Sequence, residues 1–220
     1  MGTIMIIGLL VISYLVGSIP WGFLLVKLTE GKDIRTIESG RVGGTNTMRA
    51  AGFWIGFITS CLDILKGAAT VWIARGVYPD IFWLHAAAPV LAIIGHNNSI
   101  YLLRKRQGGD LEMGGGAGGA ALVGGSLGLW WPSGLILIPL GLLIVFGLGY
   151  ASVATMSLPL ISTVIFAIRA IQGNGPWVYV GLGLVAELLI LWALRPNIRR
   201  LIQGEERLVG WRARSDDQED

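Results

Sequence analysis

The chain reads as long apolar runs separated by short polar stretches, the pattern of a protein whose outer surface faces hydrocarbon. A helix needs about 20 apolar residues to cross a bilayer core. Runs at 4–28, 52–75 and 80–103 meet that length. A longer apolar block, 117–168, follows a glycine-rich stretch, and a last run covers 176–194. Pro132, after Trp130 and Trp131, breaks the block, because proline ends or kinks a helix and tryptophan favours the interface. Gly147 and Gly149 break it again, leaving helices near 117–131, 133–147 and 150–169. The expected fold is all-α: a polytopic transmembrane helix bundle of about seven spans, some short or broken. One membrane domain covers 1–220, its basic tail beginning at 195.

Charge settles the orientation. Only 14% of residues are charged against 53% hydrophobic, where a soluble surface needs roughly a quarter. Most of the basic residues fall in three groups: Lys32, Arg35, Arg41 and Arg49; Arg104, Lys105 and Arg106; and a tail carrying Arg195, Arg199, Arg200, Arg207, Arg212 and Arg214. Seven spans with the N-terminus outside put all three groups in the cytoplasm, whereas six would export the tail. These cations flank apolar segments and form no stripe between aromatics, so the net charge of +3 argues for membrane orientation and against nucleic acid. Cys61 stands alone in an apolar run, and no acidic-histidine cluster has ligand spacing. Neither a metal nor a cofactor is expected.

Polar residues that are costly in a bilayer mark the candidate chemistry. Asp63 and Lys66 share one helical face inside the second span. They either neutralise each other, or Lys66 reaches a phosphate in a polar cavity while Asp63 orients it. Glu187, in the last span, reads as a hydrogen-bonded packing residue. His96 precedes Asn97, Asn98 and Ser99 and is either a helix-end packing residue or part of a site. Gly17-Ser18-Ile19-Pro20-Trp21-Gly22 interrupts the first helix, for close packing or to turn Ser18 toward a polar site.

Two loops suit an anion. The first holds Ser39, Arg41, Thr45, Asn46 and Arg49 among glycines, just before an apolar helix that Thr45 or Asn46 could cap. Glycines admit backbone N–H groups to an anion, and arginine supplies a bidentate clamp. The bland alternative is a flexible polar loop. The second loop, centred on Gly114-Gly115-Gly116-Ala117-Gly118-Gly119, either cradles a phosphate or simply connects two spans.

Taken in order, GSIPWG at 17–22, DIR at 33–35, SGRVGGTNTMRAAG at 39–52 and LDILKG at 62–67 resemble the acyl-phosphate-dependent glycerol-3-phosphate acyltransferases of bacteria. GH at 95–96, GYASVATM at 149–156 and NIRRLIQGEE at 197–206 extend the resemblance from about residue 10 to about 210. The family's second loop usually reads Lys-Gly-Gly-Lys-Gly-Val-Ala-Thr, whereas here both lysines give way to small residues. The resemblance implies a multi-pass enzyme of the bacterial plasma (inner) membrane with its active site facing the cytoplasm. Its substrates would be acyl phosphate and glycerol 3-phosphate, its product lysophosphatidic acid, and an upstream enzyme would form the acyl phosphate. By the same resemblance Ser18, Arg49, Lys66 and His96 would be catalytic. Ser39, Arg41, Thr45, Asn46, Gly115, Gly116, Gly118 and Ser152 would bind substrate. Arg104 and its neighbours could replace the missing loop lysines. The remaining alternatives are a family paralogue using another phosphorylated substrate, or a non-catalytic transporter or lipid-binding protein.

Overall fold

The computed structural model describes residues 2–105 and 109–210; Arg106, Arg212 and Arg214 lie outside the described residues. The described residues form ten α-helices: α1 Gly2–Ser18, α2 Trp21–Glu30, α3 Gly44–Ala51, α4 Phe53–Val77, α5 Phe82–Asn97, α6 Gly119–Leu129, α7 Pro132–Leu148, α8 Ala151–Ile171, α9 Val180–Ala193 and α10 Arg195–Gln203. The break expected in the first run falls at Ile19-Pro20, between α1 and α2. The third run is helical over a shorter stretch than expected. Beyond Asn97 the chain leaves the helix and forms an antiparallel hairpin, β1 Leu103–Lys105 with β2 Leu111–Met113.

Among the described residues, three helical stretches are long and apolar enough to cross a bilayer unaided: Gly2–Glu30, Phe53–Val77 and Ala151–Ile171. The others are shorter. At 1.5 Å per residue, α6 is only about 16 Å long, half the hydrocarbon thickness. It is almost wholly buried, and the glycine-rich loop completes its path through protein, where irregular backbone can be satisfied.

Apolar burial alone cannot drive helices together in lipid, so close backbone approach matters more. α6 lies directly on α4: a Cβ on Gly67 would stand 2.2 Å from the Ala121 carbonyl oxygen, and one on Gly124 1.9 Å from that of Ile64. α1 meets α5 in the same way. A Cβ on Gly17 would meet the Ala92 oxygen at 2.2 Å, and one on Gly95 the Tyr14 oxygen at 2.3 Å. Any larger residue would push these pairs apart. Ile93, Leu122, Phe166, Leu182 and Ile190 fill the centre, while Trp54, Leu143 and Leu188 point outward as a lipid-facing collar.

Candidate active site

The chain direction brings the ends of α5 and α9 to the same side of the bundle as the starts of α4, α6 and α8. There a cavity of about 170 Å³ opens, and residues from both candidate loops line it. Ser39, Arg41, Thr45, Asn46 and Arg49 enter from the first loop and α3. Asp63 comes from α4, His96 from α5, Gly118 and Gly119 from the start of α6, and Ser152 from the start of α8.

Helix starts dominate this lining. Gly44 opens α3, Gly119 opens α6 and Ala151 opens α8, and none of the three has a side-chain cap. Thr45 and Asn46 lie inside α3 and cap nothing, because Gly43 holds the N-cap position. The first-turn amides of a helix have no intrahelical acceptor, and the dipole puts partial positive charge there. Three such ends around one cavity make it a place for negative charge.

Beneath the floor sits a buried cluster. The Lys66 ammonium is 2.8 Å from Asp63 Oδ1 and donates to the Ile19 carbonyl at 2.8 Å. His96 Nδ1 is 3.5 Å from the same Asp63 oxygen. The Ile19 carbonyl lies in the break between α1 and α2, so Lys66 joins that break to α4. Asp63 and His96 reach the cavity, but Lys66 does not. Its charge is committed to Asp63, which is the neutralising reading of that pair. Ser18 also stays out of the lining: its hydroxyl back-bonds to the Tyr14 carbonyl at 2.8 Å, and its own carbonyl accepts from Ser99 Oγ.

The glycine-rich loop wraps His96. The Gly116 amide donates to the His96 carbonyl at 2.8 Å, and a Cβ on Gly116 would stand 2.0 Å from His96 Nε2. Gly115 accepts from the Val42 amide, tying the two loops together, and only Gly118 of the three expected glycines borders the cavity. Arg104 does not line the cavity but pairs with Glu112 across the exposed hairpin at 2.9 Å, and Lys105 beside it is exposed.

The polar lining contains both signs. Arg41 donates from Nη1 to the Gly116 carbonyl at 2.9 Å and from Nη2 to the Ala193 carbonyl. Burial, reinforced by nearby Arg200, holds its guanidinium below the usual arginine value, while Glu206 opposes that shift. Arg49, at the rim, donates to the Leu208 carbonyl. Neither takes part in an ion pair among the described residues. On the acceptor side, Asn46 Oδ1 and Asp63 Oδ2 are buried and receive no hydrogen bond from described residues.

The tail was the unexpected contributor. Asn197, Glu206 and Arg207 line the cavity. Glu206 accepts from Ser152 Oγ and Asn197 Nδ2 at 2.8 Å and from Arg200 Nε at 3.0 Å. Arg207 pairs with Glu38 at 3.0 Å, closing the tail over the first loop. The sequence signal was an Asn and the pair Glu205-Glu206 set among arginines. Ser60, on the cavity side of α4, looked like an ordinary residue of an apolar run. Glu187 departs from expectation, since its buried Oε2 has no hydrogen-bond partner among described residues.

Residues 7–204 match the glycerol-3-phosphate acyltransferase family model. The glycerol-3-phosphate acyltransferase of Thermus thermophilus is 33% identical over 93% of this chain and 95% of its own. That of Erythrobacter litoralis is 36% identical over 90% of this chain and 92% of its own. Among solved structures, the integral membrane glycerol 3-phosphate acyltransferase PlsY in its glycerol 3-phosphate form superposes with a TM-score of 0.80 at 27% identity, covering 93% of this chain and 96% of that one. Its lysophosphatidic acid form gives 0.76 at 26% identity, over 93% and 95%.

Proposed function

We propose that this chain, which belongs to the glycerol-3-phosphate acyltransferase family, moves an acyl group from acyl phosphate to the sn-1 hydroxyl of glycerol 3-phosphate. The hydroxyl oxygen attacks the acyl carbonyl carbon, an ester C–O bond forms, and the carbonyl–phosphate C–O bond breaks. Inorganic phosphate leaves with the bonding pair. The hydroxyl proton passes to a phosphate oxygen, since the mixed anhydride is already activated and needs no protein nucleophile. Catalysis then consists of holding two anions together against their repulsion and aligning them.

One observation supports this reading above the others. Among the described residues, three uncapped helix starts and two guanidiniums outside any ion pair border one cavity, beside two buried acceptors that receive no hydrogen bond. Cations and amides suit phosphate; Asn46 Oδ1 and Asp63 Oδ2 suit the hydroxyls of a polyol. A glycerol phosphate needs both. His96 holds the glycine-rich loop and the cavity floor, Lys66 fixes Asp63, and Ser18 secures the helix break beside them. Ser39, Thr45 and Ser152 add hydroxyls to the wall. The acyl chain would lie among the outward apolar residues, in the bilayer. In this reading the protein sits in the bacterial inner membrane with the cavity toward the cytoplasm, the side on which an acyl-phosphate-forming enzyme would deliver the donor.

The experiment is direct. Purified protein in lipid receives acyl phosphate and glycerol 3-phosphate, with phosphate release and lysophosphatidic acid both measured. Matched formation of the two is expected. Hydrolysis without acyl transfer, or no turnover where another family member is active, would overturn the reading. Because residues 114–121 carry no cation, a panel of other phosphorylated acceptors and donors belongs in the same assay, and preference for one of them would identify a paralogous substrate.

A further inference from the structure

Of the cations around the cavity, Arg41 has the least ordinary surroundings. Lys66 is paired with Asp63, Arg200 with Glu206 and Arg207 with Glu38. Arg41 is in no ion pair among the described residues, though most of its surface is withdrawn from water. Its recorded partners are two carbonyls, Gly116 in the glycine-rich loop and Ala193 at the end of α9. Carbonyl dipoles orient a guanidinium but do not neutralise it. A guanidinium has five N–H donors, and those two bonds leave the rest without an acceptor among the described residues, on a side chain that lines the cavity.

The loop it holds is short of charge. Gly114 to Gly119 present backbone and one methyl group. At Gly116 no side chain fits, because His96 Nε2 occupies the place of a Cβ. The Gly116 amide is itself used by the His96 carbonyl. Positive charge at this wall therefore has to come from outside the loop. Arg104 and Lys105 are committed to the exposed hairpin.

We propose that Arg41 is the phosphate ligand of the glycine-rich loop, binding the terminal phosphate group of one substrate while it holds Gly116 and Ala193 in place. The proposal rests on the acyltransferase reading and deepens it. Bound phosphate completes the pair that Arg41 lacks. It also completes a bridge between the loop ahead of α6 and the junction of α9 with α10, so substrate and tail are coupled through one side chain. A lysine could supply charge but not the planar fork needed to reach two carbonyls and an anion together.

The test compares Arg41→Lys and Arg41→Gln with the parent protein in lipid. Michaelis constants are measured separately for glycerol 3-phosphate and acyl phosphate, alongside the inhibition constant of inorganic phosphate. Each variant should raise one Michaelis constant by about tenfold or more, with a smaller change in kcat, the pattern of lost binding. Phosphate inhibition should weaken in both if the acyl donor's phosphate is the ligand. If glycerol 3-phosphate is the ligand, its Michaelis constant alone should rise. Unchanged Michaelis constants, with only the melting temperature lowered, would overturn the proposal. Protection of the parent against heat by inorganic phosphate or by glycerol 3-phosphate, lost for one of the two in Arg41→Lys, supports it even if Arg41→Gln fails to fold; equal protection of parent and variant by both compounds overturns it. A parent protein that binds phosphate but transfers no acyl group would sink the reaction while leaving this ligand assignment intact.

Discussion

The two ends of the helix bundle use the same side chains for opposite ends. At the end away from the cavity, Arg75 donates to the Gly128 and Leu129 carbonyls at 2.9 and 2.6 Å, closing the C-terminus of α6. His85 is held between the Tyr179 hydroxyl and the Tyr78 carbonyl at 3.0 and 2.7 Å. Arg169 covers the Trp130 ring at 4.1 Å and donates to the Asn174 carbonyl. Carbonyls, a phenol and a ring hold these groups, and none of them lines the cavity. At the other end, helix starts meet and two guanidiniums, Arg41 and Arg49, line the cavity. Cations at helix C-termini complete a structure, whereas cations beside helix N-termini concentrate positive charge that only an added anion can balance. Helix polarity separates the two ends, in addition to the larger number of charges at the cavity end.

The strongest way to break that contrast is to attack the floor of the cavity. Asp63 and Lys66 are both buried, their side chains 1% and 3% exposed. Removing one partner of such a pair costs about 3–5 kcal/mol, because the other charge is left stranded. Asp63→Asn should therefore lower the melting temperature by about 10 °C and abolish turnover. Replacing Lys66 by Met in the same chain should recover much of the stability and none of the activity. Thermal unfolding in detergent measures both. If Asp63→Asn melted like the parent, the pair would have no structural weight and the floor would need another explanation.

A smaller effect compares the two ends directly. Arg49→Ala removes a rim guanidinium from the cavity; hydrogen bonds to charged groups are each worth about 1.5–3 kcal/mol, so kcat/KM should fall by about a hundredfold with little change in melting temperature. Arg75→Ala should do the reverse, lowering the melting temperature while kcat/KM stays within about threefold, since its partners are structural carbonyls. Steady-state kinetics and melting curves on the two variants decide it. Similar losses of activity in both would erase the distinction between the ends.

Much of the fold was legible because lipid imposes a single rule on every span, and hydropathy reads that rule directly. Helices α4, α7 and α8 begin and end within about two residues of the apolar runs that predict them. The side-chain directions were not legible. Ser18 and Lys66 carry the right chemistry but point into the helix break and toward Asp63, and no spacing rule distinguishes a lining residue from one just beneath it. The tail was hidden for another reason. Its place depends on contacts between residues far apart in sequence, such as Arg207 with Glu38 and Ser152 with Glu206. Until the bundle is assembled, that segment is only a basic run after the last span.

The faintest expected effect concerns the loop that leads into the cavity. Asp33 accepts from the Arg35 backbone amide at 2.9 Å, from its Nε at 3.0 Å and from its Nη2 at 2.7 Å, and Arg35 in turn lies over the Phe23 ring. Hydrogen bonding from Arg35 holds the Asp33 carboxyl below the usual aspartate value, against a partial desolvation that works the other way. A group whose folded pKa is depressed contributes stability above its unfolded pKa, near 3.9, and loses it as pH falls through the lower folded value. The cavity end should therefore weaken below about pH 4, and weaken less in high salt, because the pair is partly exposed and screened. Asp33→Asn should remove that acid-sensitive part, so that the variant and the parent differ in melting temperature at pH 6 and converge toward pH 3. Arg75 and Arg169, held by carbonyls and a ring, have acceptors that do not titrate in acid. Hydrogen exchange at low pH should accordingly open the residues around Asp33 before those around Arg75, and simultaneous opening of both would show that the two ends do not differ in the way their charges suggest.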